Sequence, residues 1–221
     1  MKRTLSILFT LFLSGLLQGQ EMKPNPSGGA EAAADTTRLD LTLCAYSWCS
    51  GLPVTGIQWM LAHPLGTFPL NDLGIYDAEG CLMIDSTVLD LPFEPDYGIY
   101  PQKDNDPLNG LDIAEMISVN KHILGLEPMT GYALIAADIN RSNSITTFDI
   151  VLMRQLLTGV LTSFPNNTSW RFIPEDYVFP NPSNPFQHIL PSGDTVANIQ
   201  DTVSGTLRFV AVKVGDIDCS A

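Results

Sequence analysis

The chain has 221 residues, with 11 Lys and Arg against 24 Asp and Glu and a formal charge of −13. That balance excludes a nucleic-acid-binding role, which needs a basic face to neutralise phosphates, and argues equally against docking on anionic lipid. With 45% hydrophobic residues the chain can bury a core, and its excess of carboxylates suits a cation such as Ca²⁺.

In chain order, Met1-Lys2-Arg3 is a positive start, followed by an apolar run from Leu5 to Leu17 and the small Gly19. This pattern predicts a secretory signal peptide over 1–19, too short to span a bilayer. The expectation is a secreted or cell-surface protein with no membrane insertion after cleavage. Residues 20–36, with Pro24, Pro26, Gly28 and Gly29, read as a flexible linker. Four cysteines follow: Cys44, Cys49, Cys81 and Cys219. An oxidising compartment permits bridges between them, and three pairings are open. No two have CxxC spacing and only His63, His122 and His188 exist, so zinc or haem has little support.

Residues 37–101 read as strands. Arg38 to Tyr46 alternates polar and apolar, Gly56 to Ala62 is a second candidate, and Phe68 to Tyr76 and Cys81 to Leu91 flank a turn at Asp77-Ala-Glu-Gly80. Tyr97 to Tyr100 is a short last strand. Short strands with frequent turns predict a small β-sandwich. Residues 102–160 differ: Ile113 to Leu124 and Thr147 to Leu157 have helical spacing, closed by Gly125 and Gly159. Residues 161–221 return to β signals, with strand candidates at Trp170–Phe172, Tyr177–Phe179 and Leu207–Val214.

A 34-residue internal repeat is the most informative feature: Asp104 overlays Asp138, Asp106 overlays Asn140, Asn109 overlays Asn143, Asp112 overlays Thr146, Glu115 overlays Asp149 and Gly125 overlays Gly159. Each copy is an oxygen-rich loop leading into an apolar helix. A twelve-residue calcium loop places oxygens at positions 1, 3 and 5, a backbone carbonyl at 7, a contact at 9 and a carboxylate at 12. Asp138, Asn140, Ser142, Ser144, Thr146 and Asp149 fill those positions in the second copy. In the first, Asp104, Asp106, Gly110, Asp112 and Glu115 do so, with Leu108 at position 5 and Asn109 offering its amide from position 6. The second loop is expected to bind more tightly. Two in-phase copies favour Ca²⁺ over a reading of these acids as simple helix caps.

The pair Asp104–Gly125 and Asp138–Gly159 resembles a type I dockerin, the duplicated calcium-binding module of cellulosomes. Lys103-Asp-Asn-Asp-Pro-Leu-Asn-Gly110, Lys121-His-Ile-Leu-Gly125, Ala136-Ala-Asp-Ile-Asn140, Phe164 to Phe172 and, more loosely, Val212 to Asp218 are similar to dockerin-like segments of secreted Bacteroidetes surface proteins. Residues 68–101 resemble a carboxypeptidase-regulatory-like or Cna-B-like β-sandwich. The resemblance implies that each loop keeps only its exiting helix, and that the two copies pack antiparallel. It also implies a cohesin-like or other surface protein as partner, read at loop positions 10 and 11. There this chain has Ile113-Ala114 and Thr147-Phe148 where the family favours Ser-Thr. Those apolar residues are expected to pack on the chain's own β segments, the patch around Phe148 above all.

No GxSxG elbow, HExxH pair or Gly-rich phosphate loop supports catalysis. The expected fold class is α+β multidomain: a small β-sandwich over 37–101, a dockerin-like pair of Ca-loop–helix repeats over 102–160, and a C-terminal β-rich extension over 161–221. The expected function is non-catalytic, calcium-dependent surface assembly or adhesion. The alternative is a carbohydrate-binding accessory module of a polysaccharide-degrading system, with Trp48, Trp59, Trp170 and Tyr177 among its aromatics.

Overall fold

The computed structural model describes residues 36–63, 66–90, 96–199 and 202–220. The expected signal peptide and nearly all of the expected linker lie outside these residues. Six strands come first: β1 (Thr36–Ser47), β2 (Gln58–His63), β3 (Gly66–Pro69), β4 (Ile75–Tyr76), β5 (Leu82–Asp90) and β6 (Asp96–Gln102). Three helices follow, α1 (Ile113–Ile123), α2 (Tyr132–Ala137) and α3 (Thr147–Leu157), then β7 (Trp170–Pro174), β8 (Asp194–Ile199) and β9 (Thr202–Lys213).

The strands run in the order β3-β2-β6-β8-β9-β1-β5-β4, with β7 also pairing β9. β1 is central. It pairs antiparallel with β5 and parallel with β9, so Leu43 lies opposite both Leu82 and Leu207. Its period-two pattern explains this placement: Leu39, Leu41 and Leu43 are buried while Arg38 and Asp40 face solvent. One core gathers Trp59, Leu61, Tyr97 and Ile99 from the first half with Phe172, Phe209 and Ala211 from the last. The Trp59 and Phe209 rings lie 5.7 Å apart, and the buried Thr37 hydroxyl meets the Tyr97 hydroxyl at 3.2 Å.

This topology corrects the expected fold class. The early and late β segments share one core and one strand path instead of forming a sandwich and a separate extension. The fold is mostly β, and its middle is a three-helix segment, not a pair of contiguous loop–helix repeats. α2 is inserted between the two expected helices and buries Leu134 through Ala137. The reason is non-local: β1 can complete its hydrogen bonds on both sides only by recruiting β9 from the far end of the chain.

β9 ties three cores together. Ala211 faces the sheet core, Val212 packs with Ile135 and Ala136 of α2, and Val214 joins Val119 of α1 with Leu152, Met153 and Leu156 of α3. Two disulfides lock this arrangement, Cys44–Cys81 beside the β1–β5 pair and Cys49–Cys219 between the end of β1 and the chain's C-terminal segment. Among the described residues no helix is long and apolar enough to cross a membrane. Disulfides are compatible with an exported chain.

The expected packing of the helix starts on the β segments does not occur. Ile113 is 70% exposed and Phe148 54% exposed. The helices are anchored through their opposite faces, around Val119 and Met153, and through Val214.

Candidate metal centre

The loop from Asp138 to Asp149 is ordered around two carboxylates, both 0% exposed. Asp138 Oδ1 accepts the Ser142 N–H at 2.8 Å and Oδ2 accepts the Asn143 N–H at 2.9 Å. Asn140 Oδ1 accepts from Ser142 N as well, at 3.1 Å. The Ser142 hydroxyl donates to the Ser144 carbonyl at 3.1 Å and lies 3.5 Å from Asp138 Oδ1. Asp149 closes the loop: its Oδ1 accepts from Ile139 N at 3.0 Å and its Oδ2 from Thr146 N at 2.9 Å. Asn143 turns the loop in the left-handed region at φ 62°, a conformation Asn tolerates better than most residues. Thr146 caps α3 with a capping box completed by Asp149. The structure therefore brings Asp138, Asn140, Ser142, Ser144, Thr146 and Asp149 into one loop. Burial pushes the Asp138 carboxyl above its ordinary pKa, opposed by its two backbone donors and reinforced by the Asp149 charge.

The other sequence-predicted residues are placed differently. Asp104 is turned toward β7, where its Oδ1 accepts the N–H and hydroxyl of Ser169, each at 2.9 Å. Asp106 accepts from the neighbouring Asn105 amide at 2.9 Å, and Leu108 and Asn109 are exposed. The buried Lys213 ammonium donates to the Pro107 carbonyl at 3.4 Å, holding this segment against β9. Gly110 turns the chain at φ 71°, and Asp112 caps α1 by accepting from Ala114 and Glu115. Glu115 meets none of its expected companions in a three-acid group. It is 0% exposed and joins Asp216 and Asp218, with one ligand oxygen of each within 4.8 Å of the others.

Two hydrogen bonds of this second cluster match two of the first. Asp216 Oδ1 accepts the Ser220 N–H at 2.8 Å, as Asp138 accepts from Ser142. The Ile217 N–H donates to Glu115 Oε2 at 2.7 Å, as Ile139 donates to Asp149. Cys219 takes φ 70° where Arg141 takes 55°. The cap residue stands three positions before the closing carboxylate in both, Asp112 before Glu115 and Thr146 before Asp149, and each helix has 11 residues. The half-loop that precedes α1 in space is thus supplied by residues 216–220 at the chain's end. The Gly215 N–H bonds to the Ala136 carbonyl at 2.9 Å, joining the two loop entries side by side. Gly215 has φ 92°, and a Cβ there would stand 3.2 Å from Leu111.

Asp216, Asp218 and Ser220 were outside the predicted ligand set. Their signal was present: Val214-Gly-Asp-Ile-Asp218 matches Ala136-Ala-Asp-Ile-Asn140 at the Asp-Ile-Asx core. Burial, reinforced by Asp218, raises the Glu115 pKa to about 8, and the hydrogen bond with Glu115 lowers that of Asp218. The contiguous set offers carboxylate, amide, hydroxyl and carbonyl oxygens, and the split set three carboxylates with the Ser220 hydroxyl, the nearby sulfur of Cys49, 3.9 Å from Asp216 Oδ2, being disulfide-bonded. That chemistry fits a hard divalent cation and not zinc or copper. No known family model, curated protein or solved structure matches the chain.

Proposed function

We propose that this is a calcium-stabilised, non-catalytic module of an exported protein, with one Ca²⁺ in the loop 138–149 and a second in a split site built by Glu115 with Asp216, Asp218 and Ser220. The single observation that carries this reading is one arrangement, a backbone N–H to the entry aspartate, a backbone N–H to the closing carboxylate and a left-handed residue between, found at two places whose chain connectivity differs. Helix caps alone would not require it, because Glu115 and the donors of residues 217 and 218 lie about a hundred residues apart along the chain. In each cluster two carboxylates are buried to within 2% of full burial. Burying anions close together is costly unless a cation or a proton compensates. A calcium ion supplies that compensation and takes six to eight oxygens, the remainder from water.

The role that follows is assembly or adhesion at the cell surface. Calcium would hold α1, α3 and the C-terminal segment in one rigid piece, leaving Ile113 and Phe148 exposed at the two helix starts for a cohesin-like or other protein partner. The test is thermal unfolding in Ca²⁺ and in EDTA. Each independent site at a hundredfold excess over its Kd adds ~2.7 kcal/mol, or roughly 5–10 °C for a chain of this size. The same midpoint in both buffers, with metal content verified, contradicts the proposal.

A further inference from the structure

Away from the carboxylate clusters, an open cleft of about 820 Å³ lies between the end of β6 and the strand β7. Although acids outnumber bases 24 to 11, three cations border this one cleft: Lys103, Arg141 and Arg171. Arg171 is only 9% exposed, and its buried Nη1 has no hydrogen-bond partner. Leaving a guanidinium N–H buried and unpaired is costly. Arg141 adds repulsion, since after burial its charge is the next cause holding the Arg171 pKa down to about 10. Asp104 also borders the cleft, but its Oδ1 is engaged by Ser169. Lys103 is held by the Thr55 carbonyl and sits 5.6 Å from the centre of the Trp170 ring. A buried guanidinium with Nη1 unpartnered, beside a second guanidinium and only partly offset by the Asp138 charge, suits an anionic oxygen ligand, the fork geometry of Arg being matched to carboxylate.

The rest of the lining narrows the ligand. The cleft is far larger than one small anion needs, and it carries the neutral amides of Gln58, Gln102 and Asn105 with the partly exposed Tyr100 ring. Amides beside an aromatic ring suit a polyhydroxylated ring, which offers donors, acceptors and a C–H face. A net charge of −13 repels a polyanion, so the ligand should carry few charges. We propose that the cleft between β6 and β7 binds a sugar with a single carboxylate, a uronic acid on an otherwise neutral oligosaccharide, its carboxylate paired with Arg141 and Arg171 and its hydroxyls with the amides.

The experiment is calorimetric titration of the full chain in calcium buffer with an aldobiouronic acid, one glucuronic acid joined to one xylose. Xylobiose, inorganic phosphate and dialanine are the comparison probes. The acidic disaccharide should saturate one site and exceed all three by tenfold or more. Arg141→Gln should weaken it about ten- to a hundredfold, the worth of a charge-assisted hydrogen bond. Lys103→Gln should weaken it less and keep the wild-type calcium content. If Arg171→Gln fails to fold, Arg171→Lys tests the same position by retaining the charge and losing the fork. Absence of binding by the acidic disaccharide, equal binding of xylobiose, or no effect of Arg141→Gln overturns the proposal. Equal binding of phosphate or dialanine overturns the sugar and assigns the cleft to a simple anion or a peptide terminus.

Discussion

The loop 138–149 and the cluster at Glu115 reach the same geometry by opposite routes. In the first, twelve consecutive residues contain both carboxylates, the left-handed turn and the helix cap, so the arrangement needs little beyond its own sequence. In the second, the closing carboxylate comes from α1 and the loop half from residues 216–220, roughly a hundred residues later along the chain. Only the global fold can hold these halves together. β1 pairs with β9, β9 delivers Val214 into the helix core, and Cys49–Cys219 pins the end. The lesson is that a ligand loop is defined by its hydrogen-bond pattern and not by chain continuity. The cost of closing the split version is carried by the sheet.

The largest way to sharpen this contrast is to cut the disulfide. In the chain-entropy model, a bridge spanning a separation of 170 residues contributes roughly 5 kcal/mol. Cys49→Ser with Cys219→Ser should lower unfolding free energy by a few kcal/mol in denaturant titrations and weaken calcium at the split site. Calcium at 138–149 should be nearly unaffected. Equal weakening at both sites would show that the loops are not built independently.

Next in size is removal of single carboxylates. Asp138→Ala should eliminate the calcium of the contiguous loop, and Glu115→Ala that of the split site. Each should forfeit ~2.7 kcal/mol of calcium-dependent stabilisation at a hundredfold excess over Kd. Titration calorimetry would resolve two steps in the wild type and one in each variant. The contiguous loop should hold the tighter step, since its ligands are prearranged locally. The reverse order would mean that the sheet and disulfide preorganise the split site better.

A smaller effect separates metal from proton. In EDTA, Glu115 has its pKa raised from 4.5 to about 8, chiefly by burial. Between those values the folded state binds the proton that the unfolded state has released, so the stability Glu115 contributes to the apo protein is full below about 4.5 and declines as pH rises toward 8. Saturating calcium should flatten that decline, because the metal binds the ionised carboxylate. A melting temperature in EDTA that climbs across pH 5–8 would contradict the buried state of Glu115.

The smallest expected effect concerns Asp104. Replacing it by Ala removes the acceptor for Ser169 and should cost about 1 kcal/mol while leaving the calcium count unchanged. A lost calcium would restore Asp104 to the ligand set.

These contrasts also explain what could be read from the residues alone. The bounds of α1 and α3 follow from apolar spacing, caps at Asp112 and Thr146, and stops at Gly125 and Gly159. The burial pattern of β1 follows from its alternation. α2 was hidden because Tyr-Ala-Leu-Ile-Ala-Ala is apolar on every face and carries no period. The expected strand Phe68 to Tyr76 is broken by a 3-10 turn at Asn71–Leu73 into β3 and the two-residue β4, and β8, Asp-Thr-Val-Ala-Asn-Ile, shows no sustained alternation. The parallel β1–β9 pairing leaves no local signature, and neither does the choice among three disulfide pairings. The spacing marks Glu115 as a closing carboxylate, but contiguity along the chain joins it to Asp104 and not to Asp216. Only three-dimensional closure distinguishes the two, because both lie in Asp-rich turns.

The most direct measurement is native mass spectrometry of the calcium-equilibrated chain beside Asp216→Asn and Asp138→Asn. Two bound calcium ions in the wild type and one in each variant are the predicted result. No specifically bound calcium, or an undiminished count in Asp216→Asn, would contradict the split site and with it the account of why the chain's end returns to α1.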